Sequence, residues 1–126
     1  MKSAKELVED ANLRVDTITV KEALAKLNDA GTVFIDVRDS AEIAAEGKIP
    51  GAVHVNRGIL ELAIDPEIKS MHVPVLLSGK ELVFYCVGGM RSALAADTAQ
   101  DMGLENVCHL HGGFNAWLQA SAPVEK

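Results

Sequence analysis

The 126-residue chain has the length of one ordinary domain, and 48% hydrophobic against 24% charged residues is the balance of a soluble globular protein. A net charge of −6 repels nucleic acid, anionic membranes and free anions at long range, and no apolar run approaches the ~20 residues that a membrane-spanning helix needs. Residues 1–10 are polar and lack a signal-peptide core, so a cytoplasmic setting is expected. Two cysteines, Cys86 and Cys108, are too few for a disulfide framework there.

In chain order, residues 3–14 carry Leu7, Val8, Ala11 and Leu13 at spacings that predict a peripheral helix, and Thr17-Ile18 predicts a short strand. Thr19 with Glu22 forms a capping box ahead of Val20, Ala23, Leu24 and Leu27, and Gly31 closes that helix. Residues 32–36 form an apolar run without alternation, as in a strand covered on both faces. Ser40 is the predicted cap of a short helix ending by Gly47, and Pro50-Gly51 marks a turn before a strand over 52–55. Residues 57–79 are irregular, with a helical piece near 59–64 broken at Asp65-Pro66, and are expected to shape the entrance to a site. A strand over 82–85, a helix over 92–102 closed by Gly103, a strand over 106–110 and a helix over 114–120 complete the chain. Alternating strands and helices predict one α/β domain over 1–126, with a mostly parallel sheet of about five strands and helices on both faces. Ligands of such folds bind beyond the carboxyl ends of the strands.

Cys86 lies at that end of the strand over 82–85. It is followed by Val87, Gly88, Gly89, Met90, Arg91 and Ser92, then by an alanine-rich helical run. A loop running into a helix start offers unpaired backbone N–H groups, and glycines let them converge on one point. A cysteine facing that cradle is expected as the nucleophilic thiolate, with Arg91 adding positive charge for an anion. Ser92 is either a hydroxyl donor to the sulfur or the helix cap.

This loop resembles the active-site loop of the rhodanese sulfurtransferases. Three further segments are similar to that family: residues 34–38 (Phe-Ile-Asp-Val-Arg) with Glu42, residues 47–55, and residues 112–117 (Gly-Gly-Phe-Asn-Ala-Trp) with Pro123 beyond. Lys48 stands where the family usually has histidine, and Ile43 where an aromatic is common. The resemblance spans roughly residues 17–124 and implies the rhodanese fold. It also implies a persulfide carried on Cys86, a substrate loop over Val87–Ser92 and an architectural role for Asp36, Arg38 and Glu42. In the last of these, Arg38 is expected to bridge Glu42. No metal or organic cofactor is implied. The partners would be a small anionic sulfur donor such as thiosulfate and a thiol or cyanide acceptor, a protein thiol included.

Cysteine-dependent phosphatases and arsenate reductases use related loops, and a non-catalytic regulatory module of the same fold is a third reading. The phosphatase signature has five residues between cysteine and arginine, whereas four stand between Cys86 and Arg91. The tighter ring suits a terminal sulfur rather than a tetrahedral phosphate. Among the remaining polar residues, Arg57 is a candidate substrate contact after a strand end, and His54 reads as structural. His109 and His111 lack the further ligands that a zinc site needs, and Cys108 reads as a core residue.

Overall fold

The computed structural model describes residues 1–126. The elements are α1 (Ala4–Arg14), β1 (Asp16–Ile18), α2 (Val20–Lys26), β2 (Thr32–Asp36), α3 (Ser40–Glu46) and β3 (Val53–His54), then α4 (Leu60–Ile64), β4 (Glu81–Tyr85), α5 (Met90–Asp101), β5 (Val107–Leu110) and α6 (Gly113–Gln119). Single 3-10 turns at Arg57–Ile59 and Pro74–Leu77 lie within the irregular 57–79 segment. The five strands form one parallel sheet in the order β1-β5-β4-β2-β3, with β4 at its centre. Both faces are covered, as the expected α/β architecture requires.

The apolar run of β4 explains its central place. Leu82, Phe84 and Cys86 point into a core layer shared with Ala95, Ala96 and Ala99 of α5, with α4 and with Val15. Val83 and Tyr85 point into the opposite layer, with Ala23 of α2 and Phe114 and Trp117 of α6. A strand buried on both sides needs no polar alternation. The small alanines let α5 lie close on the sheet, and α1 packs outside against α5.

Several boundaries differ from expectation for physical reasons. Asp39, not Ser40, is the N-cap of α3: it is extended (φ −75, ψ 153), and its N–H donates to Glu42 Oε2 at 2.8 Å. Helix α5 begins at Met90, because Gly89 takes a left-handed conformation (φ 110) that ends the loop early. Ser92 is therefore inside the helix and is not its cap. Strand β3 pairs over only two residues, since it is the sheet edge and the chain turns away into the Arg57–Ile59 turn.

The expected Arg38–Glu42 bridge does not form. Arg38 lies fully buried, donates through Nε and Nη2 to Asp36, with Nη2 2.7 Å from Oδ2, and reaches Gly47 O at 2.7 Å. Its guanidinium also stacks 4.3 Å from the Phe114 ring centroid. Asp36, two residues earlier, is already inside the sheet and accepts the Arg38 N–H at 3.1 Å, so the arginine is drawn inward. The Tyr85 hydroxyl completes this group, donating to Asp36 at 2.7 Å and accepting from Ile49 N at 3.1 Å. A buried ion pair is tolerable when most of its remaining valences are met in this way; Arg38 Nη1 alone is buried without a hydrogen-bond partner.

Candidate active site

Strand β4 delivers Cys86 to the carboxyl edge at the centre of the sheet, and the loop to α5 folds back over it. The Gly89 N–H lies 3.1 Å and the Ser92 N–H 3.4 Å from the Cys86 sulfur, and the Ser92 hydroxyl oxygen is 3.6 Å away. The cysteine is 1% exposed, so these donors act with little competition from water. Gly89 supplies its N–H only because its positive φ turns the peptide toward the sulfur. Val87, Gly88 and Met90 form the outer arc of the loop, and Met90 is exposed.

A second pair of glycines holds the loop from behind. Gly113 is left-handed (φ 59), and a Cβ built on it would lie 2.5 Å from Val87 O and 2.6 Å from Cys86 O. That close approach lets Phe114 N–H donate to Cys86 O at 2.8 Å and Asn115 N–H to Val87 O at 3.0 Å. With these two carbonyls tied outward to α6, the following N–H groups face inward. Gly113 is thus a site-building residue. In the sequence it stands out only as part of a Gly-Gly pair before a helix.

Arg91 is engaged by Glu42 in a two-pronged ion pair, 2.9 Å at each nitrogen. The guanidinium holds the Glu42 carboxyl down to about 2, well below its ordinary 4.5, and Cys86 adds to the field that keeps Arg91 charged. The pair ties the start of α5 to the start of α3, and the donors that reach the sulfur itself are the Gly89 and Ser92 N–H groups. Arg57 faces another way: its guanidinium binds Glu61 at 3.0 Å and the Thr98 hydroxyl at 3.1 Å, farther along α5.

The other histidines and cysteine have defined surroundings. His54 Nε2 lies 2.6 Å from Arg38 O, at the rim of the buried ion pair. His109 is buried and hydrogen-bonded at both ring nitrogens, to Ser92 on one side and to Asn12 and Thr17 on the other. Burial pushes the Cys108 thiol up to about 12, which keeps it protonated and inert. Asp36 and Arg38 stand behind the loop as structural residues, while Glu42 reaches the loop through Arg91.

The rhodanese-like domain family profile matches residues 19–120, and the chain belongs to that family. A thiosulfate sulfurtransferase/rhodanese-like domain-containing protein of Mus musculus is 34% identical over 113 residues, covering 86% of this chain and 72% of the mouse protein. A thiosulfate:glutathione sulfurtransferase of Homo sapiens is 31% identical over 109 residues, covering 82% of this chain and 93% of the human one. A solved structure from Rhodopseudomonas palustris, described as of unknown function and a possible tyrosine phosphatase, superposes with a TM-score of 0.95 at 44% identity, covering 99% and 96% of the two chains. Longer tRNA uridine(34) hydroxylases also align, one from Bartonella quintana at 32% identity, but the match spans only 30% of its length.

Proposed function

We propose that this protein is a sulfurtransferase that carries a sulfane sulfur as a persulfide on Cys86. The observation that carries the reading is the convergence of the Gly89 and Ser92 N–H groups on the Cys86 sulfur within a ring of four residues between Cys86 and Arg91. Such a ring stabilises anionic sulfur as an oxyanion hole stabilises oxygen. The sulfurtransferase names of the mouse and human relatives agree with this.

The transfer runs in two displacement steps. The Cys86 thiolate attacks the outer sulfur of a donor such as thiosulfate. A new S–S bond forms, the old one breaks, and sulfite departs with its electron pair. An acceptor thiolate, or cyanide, then attacks the outer sulfur of the persulfide, and Cys86 leaves as the thiolate. Glutathione is the acceptor class that the human relative's name brings forward. Neither step requires a metal or an organic cofactor. A reducing cytoplasm suits a pair of free cysteines, and no helix is long and apolar enough to cross a membrane.

Mass spectrometry after thiosulfate treatment should find one added sulfur on Cys86. Absence of the adduct, or its persistence in Cys86→Ser, would overturn the proposal. The description of the Rhodopseudomonas protein favours a second reading, phosphomonoester hydrolysis. Turnover of an aryl phosphate without any sulfur transfer would establish that reading instead.

A further inference from the structure

A cleft of about 250 Å³ opens beside the cysteine loop. Val8 and Asn12 of α1 and Thr17 of β1 line it together with Gly88, Gly89 and Met90 of the loop. His109, His111 and Gly112 complete the lining. Gly89 is shared with the sulfur cradle: its N–H donates to the Cys86 sulfur at 3.1 Å, and the same residue borders the cleft. Val8, Asn12 and Thr17 lie ahead of residues 19–120, the segment that matches the family. This protein's own N-terminal helix and strand therefore supply that part of the cleft.

The polar groups left over along this lining are donors. The Gly89 and Gly112 carbonyls are taken by Ala93 N–H at 3.2 Å and Ala116 N–H at 3.1 Å. The N–H groups of Gly88, Met90 and Gly112 donate to no protein acceptor, and Met90 opens the 12-residue helix α5. Asn12 Oδ1 and Thr17 Oγ1 lie 2.8 Å and 3.2 Å from His109 Nε2 and accept its hydrogen. The Asn12 amide hydrogens and the Thr17 hydroxyl hydrogen remain for a ligand. Burial pushes His109 down to about 4, so it braces Asn12 as a neutral ring. No aspartate or glutamate lines the cleft, although the chain carries a net charge of −6.

A ligand that satisfies these groups must accept hydrogen bonds. A carboxylate matches them best, since it accepts several at once and gains from the positive end of α5. Val8 and the exposed Met90 add aliphatic surface, which suits methylene groups better than a fully hydrated inorganic anion. The volume lies below the roughly 300–1,000 Å³ of drug-sized ligand sites, so the ligand is small. We propose that this cleft binds the carboxylate end of a small organic thiol, the acceptor of the sulfur carried on Cys86.

The carboxylate is held by the free donors while the thiolate end reaches past Gly89 to the outer sulfur of the persulfide. The thiolate attacks that sulfur and a new S–S bond forms. The bond to Cys86 breaks, and its electron pair returns to Cys86 as the thiolate. A hydroxyl in place of the carboxylate has no charge to meet the helix end, and an ammonium would face donors only. The acceptor role rests on the sulfurtransferase reading, whereas binding of a carboxylate in the cleft does not.

The test compares two thiols of nearly equal length, 3-mercaptopropionate and 2-mercaptoethanol, as acceptors at saturating thiosulfate. Val8→Glu and Val8→Lys place opposite charges on the α1 side of the cleft, at a half-buried helix position that both residues suit. Val8→Glu should raise the KM for mercaptopropionate about three- to tenfold, and Val8→Lys should lower it about two- to threefold. The KM for mercaptoethanol should stay within about twofold in both. The ratio between the two thiols cancels any loss of folded protein. An equal ratio in wild type and both variants overturns the proposal. So does a KM for thiosulfate that follows the charge while the thiol ratio stays fixed, which would make the cleft a donor site. Binding is read separately by NMR of the wild-type protein with 3-(methylthio)propionate, which has the carboxylate but no thiol. The amide signals of Gly88, Met90 and Gly112 and the side-chain signal of Asn12 should shift. No shift there overturns the carboxylate site, and this result decides alone should the variants fail to fold. Shifts at the cleft without any sulfur adduct on Cys86 would overturn the sulfurtransferase reading, and the acceptor role with it, and leave the carboxylate site standing.

Discussion

Replacing Gly113 with alanine tests whether the backbone behind the loop shapes the sulfur cradle. The new Cβ would enter at 2.5 Å from Val87 O and 2.6 Å from Cys86 O, where backbone atoms cannot yield as a flexible side chain can. Holding alanine in the left-handed conformation costs about 1–2 kcal/mol. Displacing the two carbonyls weakens the bonds from Phe114 and Asn115, each worth about 1 kcal/mol. The expected loss is therefore about 3–4 kcal/mol, or roughly 10–15 °C in melting temperature for a domain of this size. Sulfur transfer should fall as well, even at temperatures where the variant is folded, because the carbonyls set the direction of the next N–H groups. The assay is thermal unfolding by circular dichroism beside thiosulfate turnover at a low temperature. Gly31→Ala is the control. Its nearest neighbour would be 3.5 Å away and its φ is ordinary, so it should stay within about 0.5 kcal/mol of wild type. A Gly113→Ala protein that melts within about 3 °C of wild type and turns over normally would refute the carbonyl clamp.

Two more expectations concern the polar groups around the site. Arg91 holds the Glu42 carboxyl down to about 2 in the folded protein against its ordinary 4.5, so the unfolded chain binds this proton first as pH falls. The stabilisation by Glu42 is fully present above about pH 4.5 and is lost as pH falls through about 2. In urea unfolding, the stability gap between wild type and Glu42→Gln should hold from pH 7 to pH 5 and close toward pH 2; an unchanged gap at pH 2 contradicts the pairing. Tyr85→Phe removes the hydroxyl that bonds Asp36 and leaves the buried Ile49 N–H without its acceptor. It should cost about 1–3 kcal/mol in urea unfolding with an unchanged slope, and a cost below about 0.5 kcal/mol would show the hydroxyl to be dispensable.

Much of the fold was legible in the chain because its signals are local. The unalternating run before Cys86 marked a strand buried on both faces, and its place at the centre of a five-stranded parallel sheet followed from that burial. The capping box of Thr19 and Glu22 formed as read, with Glu22 N–H donating to Thr19 Oγ1 at 3.2 Å. The Ser40 cap failed by one residue, since Asp39 already holds the extended backbone of a cap and its N–H is taken by Glu42. The loop spacing, and with it the convergence of N–H groups on Cys86, was also readable, because a strand, a glycine pair and a helix start lie within a few bonds of each other.

By itself, then, the sequence determined the order of elements, the cysteine at the mouth of the loop and the size of its ring, all properties of neighbouring residues. Tertiary structure alone decided which charged and polar side chains meet. Arg38 turned inward to Asp36 rather than along α3 to Glu42, because a buried carboxylate on its own strand outcompetes a solvated one. Glu42 went instead to Arg91, 49 positions away, and braces the start of α5 through it. His109 found its partners only when the sheet register and α1 brought Ser92, Thr17 and Asn12 around it, the last from 97 positions away. Periodicity and spacing carry no information about partners that far apart in the chain. Those partners are chosen when burial removes water and each polar atom must take the nearest group that satisfies it.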